Sequence, residues 1–200
     1  MKKVSGALAW HPEVAMSTEE IDDFLSGRWV VRLATLARDG YPHVTPLWYY
    51  WDGKCLYLAL TRNRLAFKHL NRDPRCSAVI DMDDRPLMGM RSNLAKAVII
   101  KGDAEMTEVG PGKTMRIEAG PWQGEHPTEQ MLGWLGSRYG LSRRDGALGF
   151  TEESFGEIFS QPEGRASQLF KDNEDRMMIK IIPKKIKAWD FSKSPMGYVE

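Results

Sequence analysis

The stretch "VVRLATLARDGYPHVTPLWYYWDGKCLYLAL", residues 30–60, decides the fold. Two Asp-Gly pairs, Asp39-Gly40 and Asp52-Gly53, separate three runs rich in β-branched, leucine and aromatic side chains. Asp-Gly between apolar runs is a strong tight-hairpin signal, because glycine accepts the positive φ such turns require. The spacing predicts strands over 28–37, 42–51 and 54–60, joined by two turns into an antiparallel meander. Alternation places His43, Thr45, Leu47, Tyr49 and Trp51 on one side of the middle strand, and Val44, Pro46, Trp48 and Tyr50 on the other. Pro42 and Pro46 cannot donate to a ladder, so this strand is expected at an edge or a bulge. Two readings stay open. It is a covered edge strand carrying core aromatics, or its free backbone groups and flat walls serve a planar heteroaromatic ring.

Upstream, "STEEIDDFLSG" (17–27) has Glu20 three residues after Ser17, a capping-box pattern, with Ile21, Phe24 and Leu25 on one face. A short amphipathic helix is expected there. Downstream, "RNRLAFKHLNRD" (62–73) is helical in period, with Ala66, Phe67 and Leu70 on one side and Pro74 as its stop. "RCSAVIDM" (75–82) and "AKAVIIKGDAEMT" (95–107) read as strands around a loop (83–93), with Gly102 marking a bulge in the second. From 108 to 174 glycines, prolines and short helical patterns alternate. The clearest helix is "TEQMLGWLGSRYG" (128–140), with Met131, Leu135 and Tyr139 on one face, and "TEESFGEIF" (151–159) is another candidate. "DRMMIKIIP" (175–183) and "KKIKAWDF" (184–191) are expected to close the chain as a strand pair around Pro183. Six or seven antiparallel strands so connected tend to curl and remove their edges. The expectation is one mainly β (α+β) domain over 1–200: a small barrel with appended helices, its core at 28–107 and 175–191 and a helical insertion at 108–174.

The composition narrows function. The formal net charge is +1, from 28 basic and 27 acidic residues, so no bulk attraction to nucleic acid or membrane is indicated. No apolar run approaches the roughly 20 residues of a membrane span. The opening "MKKVSGALAWHPEV" lacks the sustained apolar stretch of a signal peptide. Cys55 and Cys76 lie in strand-like runs and read as reduced thiols of a cytoplasmic protein. His11, His43, His69 and His126 show neither HxxxH nor HExxH spacing, so no metal site is expected. GxSxG, GxGxxG and GxxxxGK[ST] are absent, which leaves nucleophilic hydrolysis, the doubly wound dinucleotide fold and the P-loop without support.

The remaining candidate is "TRNRLAFKHL" (61–70). Arg64 and Lys68 are four apart and share a helix face, and Arg62 is near the helix start. A helix N-terminus with two or three cations can cradle a phosphate, or the cations can form a solvated basic face. Taken in order, the strand run 30–60, the cationic helix "RLAFKHLNRDPR" and the strand "CSAVID" resemble the pyridoxamine 5′-phosphate oxidase-like family. These are FMN- or deazaflavin-binding split β-barrels. The likeness covers about 28–107, and "KKIKAWDFSK" looks like the family's closing strand. The resemblance implies an antiparallel split β-barrel that works as a homodimer with flavin in interface clefts. It implies that Lys68 grips the cofactor phosphate and that Leu60 and Thr61 flank the phosphate and ribityl chain. It also implies that His43, Val44, Thr45, Pro46, Leu47 and Trp48 border the isoalloxazine ring. Many members carry an arginine immediately before the phosphate-binding lysine. Here that position is Phe67, and Arg62 or Arg64 is the expected substitute. The implied activity is an FMN-dependent oxidoreductase exchanging hydride through flavin N5 with a small organic substrate. The alternatives are a deazaflavin-dependent reductase or a non-catalytic flavin or haem binder, for which His43 and His69 would be the candidate axial ligands.

Overall fold

The computed structural model describes residues 12–82, 96–139 and 175–193. The expected loop at 83–93 and helix at 151–159 fall outside those residues. Helix α1 is Thr18–Ser26. Ser17 caps it reciprocally with Glu20: the Glu20 amide donates to Ser17 Oγ at 3.2 Å and the Ser17 amide to Glu20 Oε2 at 2.6 Å. Among the described residues nine strands are formed. They are β1 (Val31–Leu36), β2 (Pro42–Leu47), β3 (Tyr50–Trp51), β4 (Leu56–Thr61), β5 (Arg75–Met82), β6 (Lys96–Glu108), β7 (Thr114–Ile117), β8 (Gly124–Pro127) and β9 (Arg176–Asp190). Helix α2 (Leu65–Arg72) links β4 to β5, and α3 (Thr128–Arg138) follows β8.

Seven strands form one antiparallel sheet in the order β2-β1-β5-β6-β9-β4-β3. This corrects the expected meander. The first Asp-Gly pair does close a hairpin, β1–β2, with Gly40 at φ +86°. The run 42–51, however, is not one strand between two neighbours. It breaks at Trp48–Tyr49, and its two halves lie on opposite edges of the sheet. The second Asp-Gly turn pairs β3 with β4, and β4 pairs with β9. The sheet therefore curls into a half-barrel that brings its edges toward each other. The face alternation read from sequence survives the break: His43, Thr45 and Leu47 are half-buried and Tyr49 and Trp51 buried, whereas Val44, Pro46 and Trp48 are exposed.

The closing pair is also corrected. Residues 176–190 form a single long strand rather than a hairpin at Pro183. It runs beside β6 along thirteen residues of that strand, with one register shift between Lys101 and Gly102. A Cβ on Gly102 would lie 2.2 Å from the Ile182 carbonyl oxygen, so only glycine admits this approach. The bulge sits where partners change. β6 pairs β5 over 96–103, while β9 pairs β4 over 176–181. A bulge beside Pro183 bends both strands there and turns the sheet's corner.

The main core fills the curl. Leu33, Leu58, Ile80, Ile100, Ile179 and Ile181 meet Ile21, Phe24 and Leu25 of α1 and Ala66 and Leu70 of α2. A second core lies across the sheet. There Tyr57, Met178 and Cys55 meet Met115 and Ile117 of β7 and Met131 and Leu132 of α3. The 108–174 insertion, expected to be helical, thus begins with a two-stranded β7–β8 hairpin before the expected helix. Sequence reading missed the hairpin because each strand has only four residues: the alternation of β7 is too short to stand out, and β8 carries almost no apolar side chain.

Asp52 fastens the hairpin to the barrel. It is 6% exposed, and Oδ1 accepts from the Lys54 and Cys55 amides, both at 2.7 Å. Oδ2 accepts from Tyr57 Oη and the Glu118 amide, both at 2.8 Å, and from the Ala119 amide at 3.2 Å. Burial and the Asp52 charge push the Tyr57 phenol far above its ordinary range, so it remains a donor. Buried Lys180 pairs with Glu118 beside it, reinforcing the same junction. Asp52→Ala removes the shared acceptor of five donors, of which Tyr57 Oη keeps the Arg116 carbonyl and the Glu118 amide keeps Tyr57 Oη, both at 3.1 Å, and it is expected to cost on the order of 3 kcal/mol in urea unfolding. Asp52→Asn keeps one oxygen acceptor and is expected to cost less.

Candidate functional site

β2 is an edge strand, as its prolines foretell. Pro42 and Pro46 pair across from Leu36 and Arg32, and alternation aims their backbone nitrogens the same way as that of Val44. A proline cannot donate, so this side faces away from β1 toward the free edge. Of the three outward nitrogens only that of Val44 bears hydrogen. The carbonyl row remains, and the edge is blunted against a further strand.

Helix α2 carries the cations. It packs against β1, β2 and β4, and so spans from one side of the split sheet to the other. Ala66 and Leu70 are buried and Phe67 packs against the main core, which leaves Arg64 and Lys68 exposed. The place where an arginine was expected is thus a core-facing position, and hydrophobic burial accounts for Phe67 there. Arg64 is the N-cap residue and its side chain makes no cap bond, so it leaves the first-turn donors to other partners. Among the described residues, neither Arg64 nor Lys68 forms an ion pair.

The other expected residues separate into distinct roles. Arg62 pairs with Glu108 at the end of β6, and its amide donates to the Asp175 carbonyl at 2.9 Å. Its charge is therefore already compensated. Thr61 donates its hydroxyl to Asn63 Oδ1 at 2.6 Å in the turn entering α2. Leu60 is 3% exposed and its side chain belongs to the core, so only its backbone faces the turn. The segment His43–Trp48 presents two faces. Val44, Pro46 and Trp48 point outward, while His43, Thr45 and Leu47 point toward α2 and the core.

A buried polar chain ties α2 to β2. Thr35 Oγ1 lies 3.1 Å from His69 Nδ1 and 3.4 Å from the His43 carbonyl oxygen. One hydroxyl serves both when His69 donates from Nδ1 and Thr35 donates to the carbonyl. The His43 ring meets the His69 ring edge-on, with centroids 5.4 Å apart, and its Nε2 lies 3.0 Å from Thr45 Oγ1. At the other end of β2, Trp48 stacks on Tyr139, just past α3. Sequence reading assigned Thr35 no role, and placed Tyr139 on a helix face without its partner. Both contacts join segments far apart in the chain, and no local pattern encodes them.

Known proteins share this fold. The family model described as pyridoxamine 5′-phosphate oxidase matches residues 17–119, from the α1 cap through β7. The chain belongs to the pyridoxamine 5′-phosphate oxidase family. Among solved structures it is similar to a conserved hypothetical protein of Mycobacterium tuberculosis, with TM-score 0.62 and 23% identity, covering 94% of this chain and 92% of that one. It is also similar to an F420 reductase, with TM-score 0.51 and 20% identity over 82% and 94% of the two chains. A FAD-binding protein of Mesorhizobium loti matches with TM-score 0.50 and 18% identity over 86% and 92%. At these identities the three structures show a shared fold, and the pyridoxamine 5′-phosphate oxidase family match extends that likeness to sequence.

Burial, the neighbouring His43 and the Arg72 charge all hold the His69 pKa below its ordinary 6.5, against a smaller opposing pull from Asp39. The fold therefore prefers neutral His69. Its contribution to stability is complete above about pH 6.5 and is lost as pH falls below that value toward the lowered folded pKa. The urea midpoint is expected to fall between pH 7 and pH 5, and His69→Gln to flatten that slope. An NMR titration of the imidazole should place its midpoint below 6.5.

Proposed function

We propose that the protein is a flavin-dependent oxidoreductase that acts on a small organic molecule and binds FMN between α2 and the free edge of β2. One observation carries this reading. The His69–Thr35–His43 chain sets an uncapped, cationic helix start against a strand whose outer edge is open and whose far end bears an aromatic plane. An elongated molecule with an anionic end and a planar end has complementary partners at both. Arg64 and Lys68, with the first-turn amides of α2, would hold the phosphate through charge-assisted bonds. The β2 carbonyl row would meet the hydrogen-bonding rim of the ring, and Trp48 would flank it. A bound flavin or deazaflavin supplies two-electron redox chemistry of its own. The protein's task is then to hold the ring and keep water from it. Deazaflavin coenzymes share the same anionic-plus-planar chemistry and form the second arm of the test. The names of the F420 reductase and the FAD-binding protein accord with this ligand class.

Purified protein is expected to bind FMN or a deazaflavin saturably, read by fluorescence quenching. Lys68→Ala should weaken FMN by about tenfold or more while changing riboflavin little. Colourless protein that binds neither cofactor overturns the proposal, and equal losses for FMN and riboflavin overturn the phosphate role of Lys68.

A homodimer belongs to the same proposal. Val30, Tyr41, Val44 and Trp48 are 41%, 74%, 55% and 37% exposed and lie along the β1–β2 region. A second copy covering this strip would also enclose the open side of the cofactor. Sedimentation should show a dimer for the unmodified chain and a monomer for Val44→Glu.

A further inference from the structure

The C-terminal end of α3 reaches across the molecule to the break between β2 and β3. The Tyr139 ring lies parallel to the Trp48 indole, with centroids 5.1 Å apart and planes within 7°. Tyr139 Oη donates to the Trp29 carbonyl at 2.7 Å and accepts from the Tyr49 amide at 3.3 Å. The phenol is thus held from two sides, and its ring has little freedom to rotate. Beside it, Arg138 donates to the Ser26 carbonyl and, at 2.6 Å, to the Gly27 carbonyl at the end of α1. Its guanidinium lies 6.0 Å from the centroid of the Tyr49 ring. The two residues grip both sides of the Trp48–Tyr49 break. Trp48 nonetheless stays 37% exposed, so stacking covers part of the indole and leaves the rest open.

We propose that Tyr139 is a positioning residue for Trp48: it fixes the plane of the indole and so sets the shape of the ring-binding end of the site. Trp48 has no other aromatic partner among the described residues that could hold that plane. A planar heteroaromatic ring packed beside the indole must match the orientation that Tyr139 imposes. The segment after β8, which lies outside the barrel strands, then takes part in choosing which rings fit. The ligand part of this inference rests on the proposed flavin-type cofactor. The positioning of Trp48 does not.

The test separates the two. The protein is labelled with 5-fluorotryptophan, and the Trp48 line among its seven tryptophans is assigned with Trp48→Phe. Tyr139→Leu is expected to shift or broaden the Trp48 line while lines remote from α3 hold their positions, which also reports that the fold persists. Tyr139→Phe keeps the stacked ring and is expected to leave the Trp48 line near its original place. A Trp48 line unmoved in Tyr139→Leu, or moved as far by Phe as by Leu, overturns the inference. In binding assays Tyr139→Leu is expected to weaken FMN and riboflavin alike, by up to about tenfold, leaving their ratio unchanged. A ratio altered as in Lys68→Ala overturns the assignment of Tyr139 to the ring end. If the line moves as expected but unmodified protein binds neither FMN nor a deazaflavin, the positioning role stands and the cofactor reading falls.

Discussion

Two residues, Trp48 and Tyr49, join the opposite edges of a seven-stranded sheet, and this short link governs the architecture. Laid flat, seven strands would span about 29 Å from first to last. Three Cα steps from Leu47 to Tyr50 reach at most about 11 Å. The sheet can satisfy both only by curling until its edges nearly meet. The remaining irregularities serve that curl. Gly102 and Pro183 turn the corner in the two long strands, and the prolines of β2 let its edge stay unpaired beside the gap.

The link is held by more than chain connectivity. Tyr49 is fully buried, and its hydroxyl donates to the Leu25 carbonyl at 3.0 Å. Trp29 Nε1 donates to the Phe24 carbonyl at 2.8 Å, and Arg138 takes the Ser26 and Gly27 carbonyls. The last carbonyls of a helix have no partners within it and attract donors and positive charge. Here they are satisfied by side chains from three separate segments. The end of α1 is thus the anchor that fixes where the strand may break. Gly27 belongs to the same anchor, since a Cβ there would lie 2.3 Å from Trp29 Nε1.

Much of this was legible in the sequence, and the failures share one cause. The capping box at Ser17, the Asp39-Gly40 hairpin, the edge placement of β2 and the bulge at Gly102 are local signals, and each was read correctly. The run 42–51 was read as one strand because its alternation never falters across the break. Alternation reports which face a side chain takes, and it is silent on which strand lies alongside. The long β9 was cut at Pro183 because proline ordinarily ends a ladder, whereas here the bulge absorbs it. In the site, the cations of α2 were visible from spacing. That Arg62 would be spent on Glu108 depends on a contact made only after folding, whereas the core-facing side of Phe67 was legible in its spacing with Ala66 and Leu70.

A sheet that curls without closing also explains where a site can form. A fully closed small barrel fills its interior with side chains and satisfies every backbone edge. A split one keeps a free edge, a seam and the need for something to bridge it. In this protein α2 bridges it, and its hydrophobic face is spent on the core while its start faces outward without a cap. The buried Thr35 hydroxyl then fixes the distance between that helix and the free strand. The features that would recognise a charged, planar ligand are therefore the same ones that hold the seam together. Changes in the α1 anchor or in α3 should be felt at the site through the link they hold, whose Trp48 would border the ligand.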